Sequence, residues 1–298
     1  MKELEKCAIC PRMCMINRNE HPGYCGVKDK IRAAKACLHE WEEPCVSGIN
    51  GSGAIFFSNC NMKCVFCQNY NISQEGLGKE ISAEKLADIM LRLQKNNAHN
   101  INLVSPTPYI YHIKEAVNIA KNNGLAIPVI YNSNGYENAE ALSCLEGLID
   151  IYLPDLKYYD DKYSIKYSKA PGYFEHAARA ILEMYRQVGS PVINDNGILT
   201  KGLMIRHMML PGLLFDSKKI VDWVIKSLPA EVYLNIMSQY TPMYNAKSYG
   251  EIDKKLNYKH YESLIDYAVS IGLENGFMQA QDSANEQYTP IFDLSGIE

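Results

Sequence analysis

Residues 51–67 read Gly-Ser-Gly-Ala-Ile-Phe-Phe-Ser-Asn-Cys60-Asn-Met-Lys-Cys64-Val-Phe-Cys67. A short apolar run with β-branched and aromatic residues has the composition of a buried strand, and it opens directly into a loop carrying thiols spaced C-x3-C-x2-C. Thiols so close along the chain can converge on one object. A closed tetrahedral zinc site takes four ligands, whereas a four-iron cubane held by three thiolates keeps one iron without a protein ligand. That iron is open to a chelating small molecule. The competing reading of the same residues is a zinc knuckle completed by a distant Cys or His.

Outward from this stretch, apolar runs alternate with amphipathic segments down the rest of the chain, as in repeated βα units. Strands are expected at 54–57, 101–105, 127–132, 149–153, 203–209 and 232–237, with a seventh at 277–279. In Ala83–Lys95 the residues Leu86, Ile89, Met90 and Leu93 recur at helical spacing behind Ser82, an expected N-cap. Gly124 and Gly189 should end the helices that precede them. Nearly uninterrupted apolar strands imply a parallel sheet covered on both faces, or a (β/α) barrel, whose chemistry gathers at the carboxyl ends of the strands. Those ends carry Ser105 and Thr107, Asn132 and Asn134, Asp155 with Lys157, Arg206 with His207, and Gln239. Arg206 and His207 are neighbours on a strand, so only one faces the interior; Arg206 is the expected one, as a cation for a carboxylate-bearing ligand.

The first fifty residues lack this rhythm and are expected to form a separate cysteine-rich lobe. Cys7, Cys10, Cys14 and Cys25, closed by Gly23-Tyr-Cys25-Gly26, supply four thiols, enough for a structural zinc or a second iron–sulfur cluster. Cys37, Cys45 and Cys144 are scattered, and Cys144 reads as a packed thiol. The chain has 298 residues with Lys plus Arg at 30 against Asp plus Glu at 34, and it holds no dense basic run, so nucleic acid is not an expected partner. Its first twelve residues are charged and carry two cysteines in place of an apolar signal core, and no stretch is long and apolar enough to span a membrane. A cytoplasmic protein with thiols free for metal is the expectation.

The Cys60, Cys64, Cys67 motif after the first strand, with Phe66 before the last cysteine, resembles the signature of the radical S-adenosylmethionine (SAM) superfamily. Asn132-Ser-Asn134-Gly-Tyr, Asp155-Leu-Lys157 and Arg206-His-Met-Met-Leu-Pro211-Gly are similar to stretches of the glycyl-radical-enzyme activases related to pyruvate formate-lyase activating enzyme. The N-terminal cysteine motifs look most like the PflX-like subgroup. The resemblance implies an α/β fold, a partial (β/α)6 barrel, as the core at 51–245, with the small Cys-rich lobe at 1–50 and a C-terminal helix and strand at 246–298 closing the barrel. It implies a [4Fe-4S] cluster on Cys60, Cys64 and Cys67 that binds SAM and cleaves it reductively to a 5′-deoxyadenosyl radical.

By the same resemblance, Phe66 passes the adenine, while Asn132, Asn134, Asp155 and Lys157 contact SAM or an ion beside it. Where the family usually has a Gly-Gly-Glu turn for the methionine ammonium, this chain reads Ser105-Pro-Thr107-Pro, so Ser105 and Thr107 are the expected acceptors. Gln239 stands where activases have a histidine facing the ribose. The implied partners are an electron donor such as flavodoxin or ferredoxin and a glycyl radical enzyme. The alternatives are a radical enzyme acting on a small metabolite, or a non-catalytic iron–sulfur or zinc protein that carries electrons or serves as a scaffold.

Overall fold

Six apolar strands become the wall of an open barrel. A computed structural model describes residues 1–278 and 290–298. Its strands are β1 (Ile31–His39), β2 (Ser52–Phe57), β3 (Lys79–Ile81), β4 (Ile101–Val104), β5 (Val129–Ser133), β6 (Ile151–Pro154), β7 (Val192–Ile193), β8 (Leu199–Met208) and β9 (Tyr233–Met237). β2, β4, β5, β6, β8 and β9 pair in parallel in chain order, which is the partial (β/α)6 barrel expected. The sheet does not close, and on the β2 side it continues through two antiparallel strands, β1 and then β3.

Alternation along the strands sorts their side chains into two apolar groups. Ile101, Leu103, Val129, Tyr131, Tyr152, Leu203, Ile205, Leu234 and Ile236 pack with the helices in the large core. Ile130, Ile151, Leu153 and Met204 turn the other way, into the barrel, where Cys45 and Val46 meet them. Burial on both faces is why these strands read as continuous apolar runs, and β2 is buried at every position.

The helices start and stop where local chemistry dictates. Ser82 caps Ala83–Lys95 by accepting the Lys85 N–H at 3.2 Å, and Leu86, Ile89, Met90 and Leu93 are buried. Gly189, at φ 72°, ends Tyr173–Val188. The helix Ile110–Asn122 stops just before Gly124, at φ 94°.

The cysteine-bearing part of the N-terminus is loop and turn up to β1. The chain then enters the sheet, because β1 covers the edge that β2 would otherwise leave with unpaired N–H and C=O groups. The expected lobe boundary after residue 50 therefore passes between two hydrogen-bonded strands. After β1 the chain crosses beneath the barrel through Pro44–Ser47. At the other end, helix Tyr258–Ser270 packs on the barrel. Of the expected strand 277–279, Met278 makes one parallel bridge to Ile236, and Gln279 lies outside the described residues.

Candidate active site

The loop after β2 presents Cys60, Cys64 and Cys67, each with a hydrogen-bond partner at sulfur. Asn134 Nδ2 donates to Cys60 Sγ at 3.2 Å and the Met62 N–H does so at 3.4 Å. Ser168 Oγ donates to Cys64 Sγ at 3.0 Å, and Cys67 Sγ lies 3.2 Å from Ser73 Oγ. Burial, reinforced by the neighbouring Cys64, pushes the Cys60 thiol up to about 11, and burial lifts Cys64 to about 11 against the pull of Lys157. Burial raises Cys67 as well. Three thiols crowded into a desolvated loop resist ionisation by themselves; a cationic centre reverses that, and the surrounding donors then stabilise the thiolates.

The carboxyl ends of the strands bring several of the expected residues to this loop. Asn134, just past β5, bonds Asn61 Oδ1 at 2.8 Å as well as Cys60. Lys157, beyond β6, pairs with Asp155 at 2.5 Å. Burial would lower the Lys157 ammonium, but Asp155, Cys64 and Cys67 outweigh it and the group is raised. Tyr173 fixes the turn by accepting the Lys157 N–H at 3.0 Å and donating to the Asn134 and Asp155 carbonyls. Phe66 is buried edge-on against Tyr240, with ring centres 5.7 Å apart. Asn132 is buried on β5, and its carbonyl accepts from the Ser105 N–H. Ser105 holds φ 60° in the turn after β4, a left-handed conformation unusual for serine. Thr107 points elsewhere: its hydroxyl donates to Glu137 Oε1 at 2.5 Å, and burial lifts the Glu137 carboxyl to about 8. Gln239 donates to Met237 Sδ at 3.6 Å.

Arg206 does face the barrel interior, while His207 faces the helices and bonds the Leu156 carbonyl and Ser217. The role expected of Arg206 is nevertheless already taken by protein. Its guanidinium pairs with both Glu42 and Glu43, donating through Nε to Glu43 Oε1 at 2.8 Å. Asn102 of β4 donates to Glu42 and Asn235 of β9 to Glu43, so strands from opposite sides of the barrel converge on this pair. With Cys45 and Val46 packed against Ile130, Ile151, Leu153 and Met204, the segment 42–46 runs through the lumen as a strap. Nothing local in the sequence announces this contact, which spans 163 residues. Asn61, Ser73, Ser168, Glu42 and Glu43 were not expected at the site, although Asn61 sits inside the cysteine motif.

The N-terminal thiols lie beside this centre. Cys7, Cys10 and Cys25 are buried and Cys14 is half-buried. Asn61, one residue from Cys60, also reaches the Cys10 thiol, which burial pushes up to about 12. Among the described residues, no three His, Cys, Asp or Glu side chains stand close enough to share a single metal ion.

The cysteine loop at the mouth of a partial (β/α)6 barrel defines the class, and residues 54–224 match the family model of the Radical SAM superfamily; the chain belongs to that superfamily. Among curated relatives it is 32% identical over 282 residues to the uncharacterized protein MJ0674 of Methanocaldococcus jannaschii, covering 91% of this chain and 76% of that one. It is 26% identical over 160 residues to MJ0808 of the same organism, covering 47% and 46%. Among solved structures, Streptococcus suis SuiB bound to its precursor peptide SuiA superposes with a TM-score of 0.52 at 17% identity, over 75% of this chain and 47% of that one. SuiB bound to S-adenosylmethionine gives 0.50 at 16%, over 76% and 47%. The chain thus spans about half the length of these structures, and the likeness is one of fold.

Membership in the superfamily implies a [4Fe-4S] cluster and SAM. The donor set fits: three soft thiols, each hydrogen-bonded, with Lys157 and Asp155 alongside. Cys60, Cys64 and Cys67 would hold the cluster. No helix among the described residues is long and apolar enough to cross a membrane.

Proposed function

We propose that this radical SAM enzyme takes its hydrogen atom from a polypeptide, in the manner of an activase acting on a glycyl radical enzyme. When bound, the cluster and SAM supply one-electron cleavage of a sulfonium carbon–sulfur bond and a 5′-deoxyadenosyl radical that abstracts hydrogen. The chain's own part is to hold the thiolates through Asn134, Ser168 and Ser73, to keep Lys157 charged beside them, and to exclude water.

The observation that carries the polypeptide reading is the strap inside the lumen. Glu42, Glu43 and Arg206 occupy the interior, with Cys45 and Val46 packed beneath. A substrate therefore meets the radical at the mouth of the barrel, where a loop of another protein can enter. The similarity of the 132–136, 155–157 and 206–212 stretches to activases supports the same reading. A flavodoxin or ferredoxin supplies the electron, and the reducing cytoplasm, where free thiols persist, is the compartment. The four N-terminal cysteines bind a second metal in this reading, zinc or an iron–sulfur cluster.

The test uses cells grown on glycine deuterated at the α-carbon. The reduced enzyme and SAM are incubated separately with the protein fraction and with the low-molecular-weight fraction of those cells, and 5′-deoxyadenosine is examined by mass spectrometry. Deuterium arriving from the protein fraction supports the reading. Stimulation of cleavage by the small-molecule fraction alone overturns it in favour of a metabolite substrate.

A further inference from the structure

We infer that the face formed by the turn 22–26 and the outer side of the cysteine loop, with Arg12, Lys28, Lys30, Arg32 and Lys63 around it, is where an acidic one-electron carrier protein docks. The inference rests on the reading above that a carrier supplies the electron, and it assigns the surface that receives the carrier.

The first observation is where this face lies. Residues 59–63 of the cysteine loop pack against the turn: a Cβ on Gly26 would stand 2.8 Å from Asn59 Nδ2, inside contact distance. At the other end of the same stretch Lys63 Nζ lies over the Tyr24 ring, 5.8 Å from its centre, and the Arg12 guanidinium sits over that ring at 3.9 Å. Arg12 Nε also donates to the Asn61 carbonyl at 2.8 Å. Half-buried Cys60 stands between Asn59 and Asn61, so the face is built on the chain that carries the first catalytic thiol. Past Gly26 it continues as a groove of about 240 Å³, lined by Asn59, Lys28, Lys30 and Arg32.

The second observation is charge. The chain as a whole has a net charge of −4, yet these cations gather on one face. Among the described residues none of Arg12, Lys28, Lys30, Arg32 and Lys63 forms an ion pair. Lys28, Lys30 and Arg32 are exposed. Glu80 on the groove and Asp29 between the two lysines offset part of the charge and leave the face positive. Unpaired like charges repel one another; an acidic partner relieves that repulsion, and the field speeds its encounter.

The third observation is what else the face exposes. Met13 and Met15 flank Cys14 at 48% and 45% exposure, and Tyr24 is 43% exposed. Methionine, tyrosine and arginine are the residues enriched where proteins meet, and thioethers adapt to partners of different shape. A small, charged, adaptable surface suits a carrier that must leave after each transfer. One electron leaves the carrier, which is oxidised by one, and enters the centre held by Cys60, Cys64 and Cys67, which is reduced by one; no bond forms or breaks.

The experiment mixes the reconstituted holoenzyme with a flavodoxin hydroquinone and follows reduction by stopped flow, with affinity for oxidised flavodoxin measured by calorimetry and contacts mapped by carbodiimide cross-linking. The wild-type second-order rate should fall at least about tenfold between about 50 mM and about 500 mM salt. Lys28→Glu/Lys30→Glu should lose at least about tenfold in rate and in affinity at the lower salt, while reduction by dithionite and the SAM cleavage it drives stay at the wild-type level. Lys201→Glu/Lys226→Glu, the same charge change at the amino ends of the barrel strands, should keep the wild-type rate. Cross-links should join Lys28 or Lys30 to flavodoxin carboxylates. An unchanged rate in Lys28→Glu/Lys30→Glu, or an equal loss in both variants, overturns the inference. So does a Lys28→Glu/Lys30→Glu protein that keeps its flavodoxin kinetics but takes less deuterium from the protein fraction, which would give the face to the substrate. A wild type that flavodoxin reduces through this face but that cleaves no SAM would instead count against the enzymatic reading alone.

Discussion

Replacing Arg206 by Met tests the plug that closes the barrel. In the wild type one guanidinium holds two buried carboxylates, and Asn102 and Asn235 contribute one further donor to each. Removing the cation leaves both carboxylates in the lumen with only those amides, a loss worth about 3–5 kcal/mol for breaking a buried pair. The pH dependence gives the sharper test. Burial raises the Glu43 carboxyl, but Arg206 outweighs it and holds it below its ordinary value of 4.5. That stabilisation is present above the ordinary value and lost as pH falls through the folded one. In Arg206→Met burial, the largest influence on Glu43, is opposed only by the Asn235 amide and a backbone N–H, so the carboxyl rises, folding takes up a proton, and the variant gains stability as pH falls. Urea unfolding of both proteins under argon should show a difference of about 4 kcal/mol at pH 8, narrowing by pH 5.5. Arg206→Met/Glu42→Gln/Glu43→Gln should recover most of the loss, since no charge is left unpaired. A difference below about 1 kcal/mol at pH 8, the size of an exposed pair, or one that stays constant with pH, refutes the buried-pair account.

Gly135→Ala should cost at least about 2 kcal/mol in urea unfolding and weaken SAM binding in calorimetry, because at φ 76° its Cβ would meet the Asp155 carbonyl at 2.1 Å. Lys157→Met should keep its cluster, measured as iron per chain, yet bind SAM at least about tenfold more weakly, a difference of about 1.4 kcal/mol; unchanged affinity removes Lys157 from the site. His207 is driven down to about 4 by burial, whereas an unfolded histidine titrates near 6.5. The unfolded chain thus takes the proton first, and wild-type stability should drop by about 2 kcal/mol between pH 7.5 and 5. A His207→Gln variant whose pH profile is as steep as wild type would contradict that assignment.

Much of the barrel was legible because its determinants are local. Ser82, Gly124 and Gly189 act within a turn of the helix they bound, and the six parallel strands announce themselves as apolar runs. The cysteine motif was legible for the same reason, being a single loop. Arg206 shows where this stops: alternation admits it to the lumen, but the carboxylates that neutralise it arrive from Glu42 and Glu43, through a strap that carries no periodic signal. Strand β1 was hidden likewise, since Ala33, Ala34 and Ala36 carry little β-propensity and the strand is held by pairing with β2. The donors Ser73 and Ser168 were unreadable, because a lone serine looks the same whether it faces water or sulfur. Thr107 was legible as a polar residue near the site, but its partner Glu137 was not.

The most direct test of the whole account is the electron paramagnetic resonance spectrum of the dithionite-reduced, reconstituted protein before and after addition of SAM, with 5′-deoxyadenosine measured in the same samples. The account predicts a changed cluster signal and nucleoside product in the wild type, and neither in Cys64→Ala. A wild-type protein with its full complement of iron, an unaltered signal and no product would contradict it.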